Sequence, residues 1–170
     1  MSVKALKLRG GMRLHQAAAY DKREGPLVSV ITAVFNGGGT IRGCIESVLE
    51  QDYPHIEHIV IDGGSTDGTV DVLREYDNRI ALWISEPDGG VFDAWNKALD
   101  LAHGEWIAFV GADDTFFPGA ISEYLRLATR NPSANFLTSR ARLHHPSGYS
   151  PEFGGLWSIL RDGEIGRAHV

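Results

Sequence analysis

The chain has 170 residues, 43% of them hydrophobic and 22% charged, with a formal charge of −6 at pH 7. That length suits a single domain of ordinary globular composition, and no stretch approaches the roughly 18 consecutive apolar residues of a membrane-spanning helix. The acidic balance disfavours a nucleic-acid partner held on a broad basic face, and an acidic domain that binds phosphates needs a metal ion.

In chain order, residues 1–25 come first and are basic. Lys4, Lys7, Arg9, Arg13, Lys22 and Arg23 stand against Asp21 and Glu24, a net +4 that leaves −10 on residues 26–170. The stretch lacks the apolar core of a secretory signal, so it is expected to be a loosely ordered tail, with a membrane-surface anchor as the second reading. Leu27–Phe35 is β-branched and almost continuously apolar, as a central strand covered on both faces should be. After Asn36-Gly37-Gly38-Gly39, Thr40 is placed to cap a helix carrying Ile41, Ile45, Val48 and Leu49 at i, i+4, i+7 and i+8. Cys44, the single cysteine, shares that face and is expected to be a core thiol; alone, it excludes an internal disulfide.

Ile56–Ile61 is the second strand, and Thr66-Asp67-Gly68-Thr69 is turn and cap material before a helix carrying Val70, Leu73 and Tyr76. Ile80–Ile84 is the third strand. The next helix is expected to bury Val91, Trp95, Ala98, Leu99 and Ala102, with Gly104 as a left-handed stop. Trp106–Val110 is the fourth strand, Pro118 opens a helix carrying Ile121, Leu125 and Ala128, and Asn135–Thr138 is a candidate fifth strand. This alternation predicts an α/β fold: a mostly parallel, Rossmann-like sheet with helices on both faces, which binds ligands at the carboxyl ends of its strands.

The loops at those ends hold Asp62, Asp67, Glu86, Asp88, Asp113 and Asp114. Like charges crowded at a sheet edge call for a divalent cation, and Mg²⁺ or Mn²⁺ is commonly held by one or two carboxylates together with phosphate oxygens and water. Taken alone, Asp113-Asp114 reads more readily as turn chemistry and N-cap for the next helix. A dinucleotide fold fails because Arg42 stands where the third glycine of G-x-G-x-x-G would fall after Gly37 and Gly39, and there is no Walker lysine. Seven histidines offer no zinc-ligand spacing, and no G-x-S-x-G elbow is present.

Four stretches nevertheless form a set: VSVITAVFN at 28–36, SVLEQDYPHIEHIVIDGGSTDGT at 47–69, SEPDGGVFDAWNKAL at 85–99 and GEWIAFVGADD at 104–114. In order and spacing they resemble the family 2 glycosyltransferases, in the branch that builds bacterial surface polysaccharides such as O-antigen and capsule. The resemblance implies the GT-A nucleotide-diphosphosugar transferase fold. It implies that Asp113-Asp114 is the DXD-type pair, with Asp114 the metal ligand and Asp113 near the ribose. It also places Asp62 beside the base, backbone of Ala33, Val34 and Phe35 against that base, and Asp88, Asp93, Asn96 and Lys97 along the sugar-diphosphate. Many relatives carry a second acid after the position of Asp62, where this chain has Gly63.

The implied reaction is inverting transfer from a UDP-, GDP- or dTDP-sugar to a hydroxyl of a glycan or lipid-linked acceptor, with Mg²⁺ or Mn²⁺ stabilising the leaving diphosphate. The implied location is the cytoplasm, at the inner face of the membrane. The expected organisation is a basic tail over 1–25, a donor-binding region over 26–140 and the incomplete start of an acceptor region over 141–170. Residues 164–170 read like a translated sequencing adapter, so the general base is expected beyond the end of this chain. A nucleotide-sugar-binding remnant without transfer activity is the alternative; a sugar-nucleotide pyrophosphorylase is disfavoured because no basic residue precedes Arg42 in the loop after the first strand.

Overall fold

The structure, a computed structural model, describes residues 7–14, 25–137, 141–142, 152–153 and 159–160. It divides into two compact units, 1–120 and 121–170. The division lies short of the boundary at residue 140 expected from the sequence.

The first unit is a five-stranded sheet in the order β1-β4-β3-β2-β5. Strands β2 (Val28–Val34), β3 (Ile56–Asp62), β4 (Leu82–Ser85) and β5 (Trp106–Phe109) run parallel, and β1 (Leu8–Gly10) joins β4 antiparallel at the edge. Helices α1 (Ile41–Leu49), α2 (Thr69–Glu75) and α3 (Val91–Leu101) make the crossovers. The near-continuous apolar runs are explained by burial on two faces. Ile31, Ile59, Ile61, Leu82 and Ile84 point to one side, where Ala94 and Ala98 of α3 close the core. On the other side the Thr32 hydroxyl meets Cys44 Sγ of α1 at 3.6 Å. The thiol is buried as expected, and loss of hydration pushes it up to about 11.

Several local expectations are corrected. Helix α3 sits on the face of Ala94 and Ala98, with Trp95, Leu101 and Ala102 packed alongside, while Val91 and Leu99 stay exposed. Two alanines four residues apart let the helix approach the sheet closely, which a larger side chain there would prevent. Ala102 ends the helix in an extended conformation at φ −71° and ψ 139°, so Gly104 is not a left-handed stop. Instead, a Cβ on Gly104 would fall 2.5 Å from the Ser29 amide nitrogen, so glycine allows β2 to pass. Thr40 does not cap α1 through its side chain; its hydroxyl turns back to the Gly37 carbonyl at 3.3 Å.

The basic leader also contributes an ordered piece. Beyond β1, a short 3₁₀ turn (Met12–Leu14) docks on residues 80–81 through the Met12 and Arg13 amides, each 2.9 Å from its carbonyl. The Arg13 guanidinium donates to the Leu101 carbonyl at 2.8 Å and lies 3.4 Å from Glu57, a buried carboxylate that also accepts from the Ser29 hydroxyl and the His103 amide. A charge buried in mid-sheet needs such a partner, and the leader provides it.

The second unit holds α4, whose residues span Ala120–Arg130 across the division, and two short antiparallel ladders. In these, β6 (Phe136–Leu137) pairs with β9 (Ile159–Leu160), and β7 (Ala141–Arg142) pairs with β8 (Glu152–Phe153). The candidate fifth strand at 135–138 is therefore β6 of a separate ladder, and Thr138 lies outside the described residues.

Candidate functional site

Chain order runs outward from β2 through β3 to β4, then returns to place β5 on the other side of β2. The topological switch point thus lies between β2 and β5, and a crevice opens there at the carboxyl ends. Its loops are bound to one another. The Gly63 amide continues the ladder to the Val34 carbonyl at 2.9 Å, and the Glu86 amide reaches the Asp62 carbonyl at 3.0 Å. Asn36, at φ 52°, receives the Thr66 amide on Oδ1 at 3.0 Å and donates its own amide to the Ser65 hydroxyl at 2.7 Å. Gly37 donates to Thr69 Oγ1 at 3.0 Å, and Gly38 donates to Asp67 Oδ2 at 2.9 Å. Hydrogen bonds from the Thr69 hydroxyl and the Gly38 amide hold the Asp67 carboxyl below its ordinary value.

Asp62 is the centre of this construction. Its side chain is fully buried, with Oδ2 accepting from the Ser85 hydroxyl at 2.6 Å and from the Ser65 and Gly64 amides at 3.0 and 3.2 Å. Oδ1 accepts from the Ser65 hydroxyl. All four donors belong to the protein, which makes Asp62 the brace of the β3 loop. Of the surrounding residues, Asn36, Asp67 and Thr69 are read from the sequence as loop, turn and cap material, whereas no role is assigned to Ser65 and Ser85. Their signal was available in the clustering of Ser, Thr, Asn and Asp, whose side chains bond nearby backbone in turns.

Above Asp62 the surface changes character. Val34 is buried and Ala33 packs against the α3 core, whereas Phe35 is 68% exposed. Gly63 lies under the Asp88 carboxylate and beside the Phe35 ring: a Cβ there would stand 3.2 and 3.3 Å from the two Asp88 oxygens and 3.3 Å from Phe35 Cδ2. Asp88 Oδ1 accepts from the Gly90 amide at 2.8 Å.

At the start of α3, Asp93 accepts from the Gly89 amide at 2.9 Å, and Lys97 pairs with both Glu86 (3.2 Å) and Asp93 (3.3 Å). Lys7 of the leader joins Glu86 at 3.2 Å. Burial opposes the charge on Lys97, but its bonds to Glu86 and Asp93 outweigh that and raise its proton affinity. The Gly89 amide and then Lys97 lower that of Asp93. The structure thus brings Asp88, Asp93 and Lys97 into one neighbourhood; Asn96 is exposed on the same helix.

Beyond the switch point, Asp113 and Asp114 sit on a turn closed by the Asp114 amide to the Gly111 carbonyl at 3.1 Å. Both are exposed, and neither carboxylate bonds to another described residue. Ala112 meets the Gly37 position at 3.7 Å, so this turn abuts the loop after β2. Unengaged hard oxygen donors at an accessible turn suit Mg²⁺ or Mn²⁺. Among the described residues no cluster of three His, Cys, Asp or Glu side chains forms a complete metal shell. The Asp88 and Asp113-Asp114 loops end strands three places apart, roughly 14 Å at about 4.8 Å per strand, a span suited to an extended nucleoside diphosphate.

The family model for glycosyl transferase family 2 matches residues 29–151. The chain belongs to that family. Over 92 residues it is 46% identical to the putative teichuronic acid biosynthesis glycosyltransferase TuaG of Bacillus subtilis, covering 52% of this chain and 36% of that protein. It is 38% identical over 108 residues to the putative glycosyltransferase EpsH of the same organism, covering 62% of this chain and 31% of that one. The chain therefore spans about a third of the length of these curated relatives. Among solved structures, S. aureus TarS 1–349 in complex with UDP-GlcNAc matches with TM-score 0.58 and 27% identity, over 63% of this chain and 32% of that one. Mannosyltransferase PcManGT from Pyrobaculum calidifontis, in complex with GDP-Man and Mn²⁺, matches with TM-score 0.59 and 27% identity, over 72% and 38%. These likenesses establish the GT-A fold expected from the family 2 motifs. No helix among the described residues is long and apolar enough to cross a membrane.

Proposed function

We propose that this chain is the donor-binding part of a family 2 glycosyltransferase of bacterial surface-polysaccharide synthesis, which moves a sugar from a nucleotide-diphosphosugar to an acceptor hydroxyl. The observation that carries the reading is the unengaged Asp113-Asp114 pair at the switch point, against the loop after β2, in a crevice whose other loops are already braced. The names of two structural relatives, one bound to UDP-GlcNAc and one to GDP-Man with Mn²⁺, support it.

In this reading Asp114, with Asp113, holds a divalent cation that supplies electrostatic stabilisation of the diphosphate. Asp113 lies toward the ribose. Asp88, Asp93, Asn96 and Lys97 line the sugar-diphosphate, and the Lys97 ammonium, held between Glu86 and Asp93, is oriented before the donor arrives. Asp62 contributes by fixing the β3 loop, with the backbone of Ala33 to Phe35 beside it. Transfer is by inversion, and the base that takes the acceptor proton is supplied outside the described residues.

The test is calorimetric titration of UDP, GDP, dTDP and their sugars with and without Mn²⁺. The expected result is metal-dependent binding of at least one diphosphate, lost by at least tenfold in Asp114→Ala with the melting temperature unchanged. Equal affinity in the variant, or no binding by the wild type in any condition, overturns the assignment.

A further inference from the structure

Residues 110–119, between β5 and α4, form neither helix nor strand, so their backbone groups must find partners outside the sheet ladder. Helix α1 supplies some of them from one stripe. Gly43 and Ser47 stand one turn apart on α1, and Gln51 follows one turn further, just past its end. Three successive residues after Asp114 meet these three positions. A Cβ on Gly43 would stand 4.0 Å from Thr115 Cγ2, the Phe116 amide donates to Ser47 Oγ at 3.1 Å, and Gln51 Nε2 donates to the Phe117 carbonyl at 3.0 Å. The stripe is itself tied together. The Ser47 hydroxyl donates to the Cys44 carbonyl at 2.8 Å, which turns its lone pairs toward the loop, and Gln51 Nε2 also donates to the Ser47 carbonyl at 3.0 Å. Ile41, Cys44, Ile45 and Val48 bury the neighbouring face of α1, so the stripe is anchored to the core.

Just ahead of this contact the two carboxylates converge. A Cβ on Gly111 would stand 2.6 Å from Asp114 Oδ2 and 3.1 Å from Asp113 Oδ1, so one oxygen of each lies over the same bare backbone. Like charges brought together push apart, and neither carboxylate has a partner among the described residues to hold it there. The backbone must therefore set their approach. On the β5 side it is fixed by the Val110 amide on the Ile31 carbonyl at 3.1 Å, and on the far side by Ser47 and Gln51.

We propose that Ser47 and Gln51 are positioning residues for the divalent cation: they clamp the chain two and three residues beyond Asp114 and so hold the carboxylates converged before an ion arrives. The inference rests on the donor-site reading above and adds to it two residues that act only through the backbone of the turn. Without the clamp an ion must order the turn as well as bind it, and affinity falls accordingly. Loss of one neutral hydrogen bond corresponds to about fivefold.

The experiment titrates Mn²⁺, with UDP, GDP or dTDP at fixed concentration, into the wild type, Ser47→Ala, Ser47→Thr, Gln51→Ala and Val48→Ala. Bound ion is read from the relaxation of water protons, at a temperature where melting curves show each variant folded. The wild type should take up Mn²⁺ with at least one diphosphate. Ser47→Ala and Gln51→Ala should each raise the half-saturating Mn²⁺ concentration about fivefold, and Ser47→Thr, which keeps the accepting hydroxyl, should stay within about twofold of the wild type. Val48→Ala opens a cavity under α1 and lowers the melting temperature but keeps both clamp bonds, so its ion uptake should also stay within about twofold. Wild-type affinity in folded Ser47→Ala and Gln51→Ala, no recovery in Ser47→Thr, or an equal loss in Val48→Ala overturns this inference and leaves the donor site standing. Absence of ion uptake by the wild type with all three diphosphates overturns the donor-site reading and this inference with it.

Discussion

Replacing Asp62 by alanine separates a bracing role from a contact role. In the wild type the carboxylate is wholly buried and satisfies the Ser85 hydroxyl, the Ser65 hydroxyl and the amides of Gly64 and Ser65. Ser85 is itself buried, so losing its acceptor costs about 1–3 kcal/mol; the three donors in the half-exposed loop recover water and cost a fraction of that each. Relief of the desolvation carried by a buried charge offsets part of the sum. A net loss of about 3 kcal/mol follows, a large share of the roughly 5–15 kcal/mol that holds a domain together. Urea denaturation without nucleotide measures it, and titration of UDP, GDP and ADP with Mn²⁺ measures the functional effect. A brace predicts lost stability together with weaker binding of all three nucleotides by a similar factor. A loss of stability under 1 kcal/mol, with selective loss of one base, would refute the reasoning.

Two further substitutions probe the scaffold. His58 is buried beside Thr32, its Nδ1 lacks a hydrogen-bond partner among the described residues, and burial lowers the ring's pKa from 6.5 to about 3. The fold therefore keeps the neutral ring: its contribution is intact above pH 6.5 and erodes as pH falls toward 3, by about 1.4 kcal/mol per unit. Between pH 7.5 and 5.0 the wild type should lose about 2 kcal/mol relative to His58→Gln in paired denaturation curves, and a pH-independent difference between the two would contradict this. Arg13→Ala removes the cation beside buried Glu57 and should destabilise the protein by about 2 kcal/mol, less than a fully buried pair because Arg13 is partly exposed. If Arg13→Ala unfolds at the wild-type urea midpoint, the leader does not brace the sheet.

The sheet was legible because burial on two faces leaves a mark that composition alone carries: β2 and β3 read as nearly unbroken β-branched runs, and the helices between them require a parallel arrangement. That also made the edge holding the carboxylates legible before any coordinates. Strand β1 left no such mark. Leu8-Arg9-Gly10 is three residues long, and its partner β4 lies more than seventy residues away, so neither length nor periodicity distinguishes it from tail. The orientation of α3 was misjudged because hydropathy weighs Val91 and Leu99 above Ala94, whereas close packing on a sheet rewards the smaller side chain. Asp62 illustrates a third kind of limit. The sequence shows an acid at the end of a strand, but its burial and the four donors that hold it are set by contacts from β4 and the following loop that no local pattern displays.

That distinction organises the crevice. Every loop from β2 to β4 is tied to its neighbour by backbone or short polar side chains: Asn36 to Ser65 and Thr66, Gly38 to Asp67, Gly63 to Val34, Glu86 to Asp62. The geometry of these loops is therefore fixed by the fold itself, so a ligand that bound against them would lose little to ordering. The Asp113-Asp114 turn is different, since its carboxylates are exposed with no partner among the described residues and, as like charges, repel one another. Rigidity belongs to the loops from β2 to β4, and unengaged charge to the turn after β5. The acids of these two groups differ in their partners: Asp62 and Asp67 are hydrogen-bonded within the fold, while Asp113 and Asp114 are exposed with no partner among the described residues.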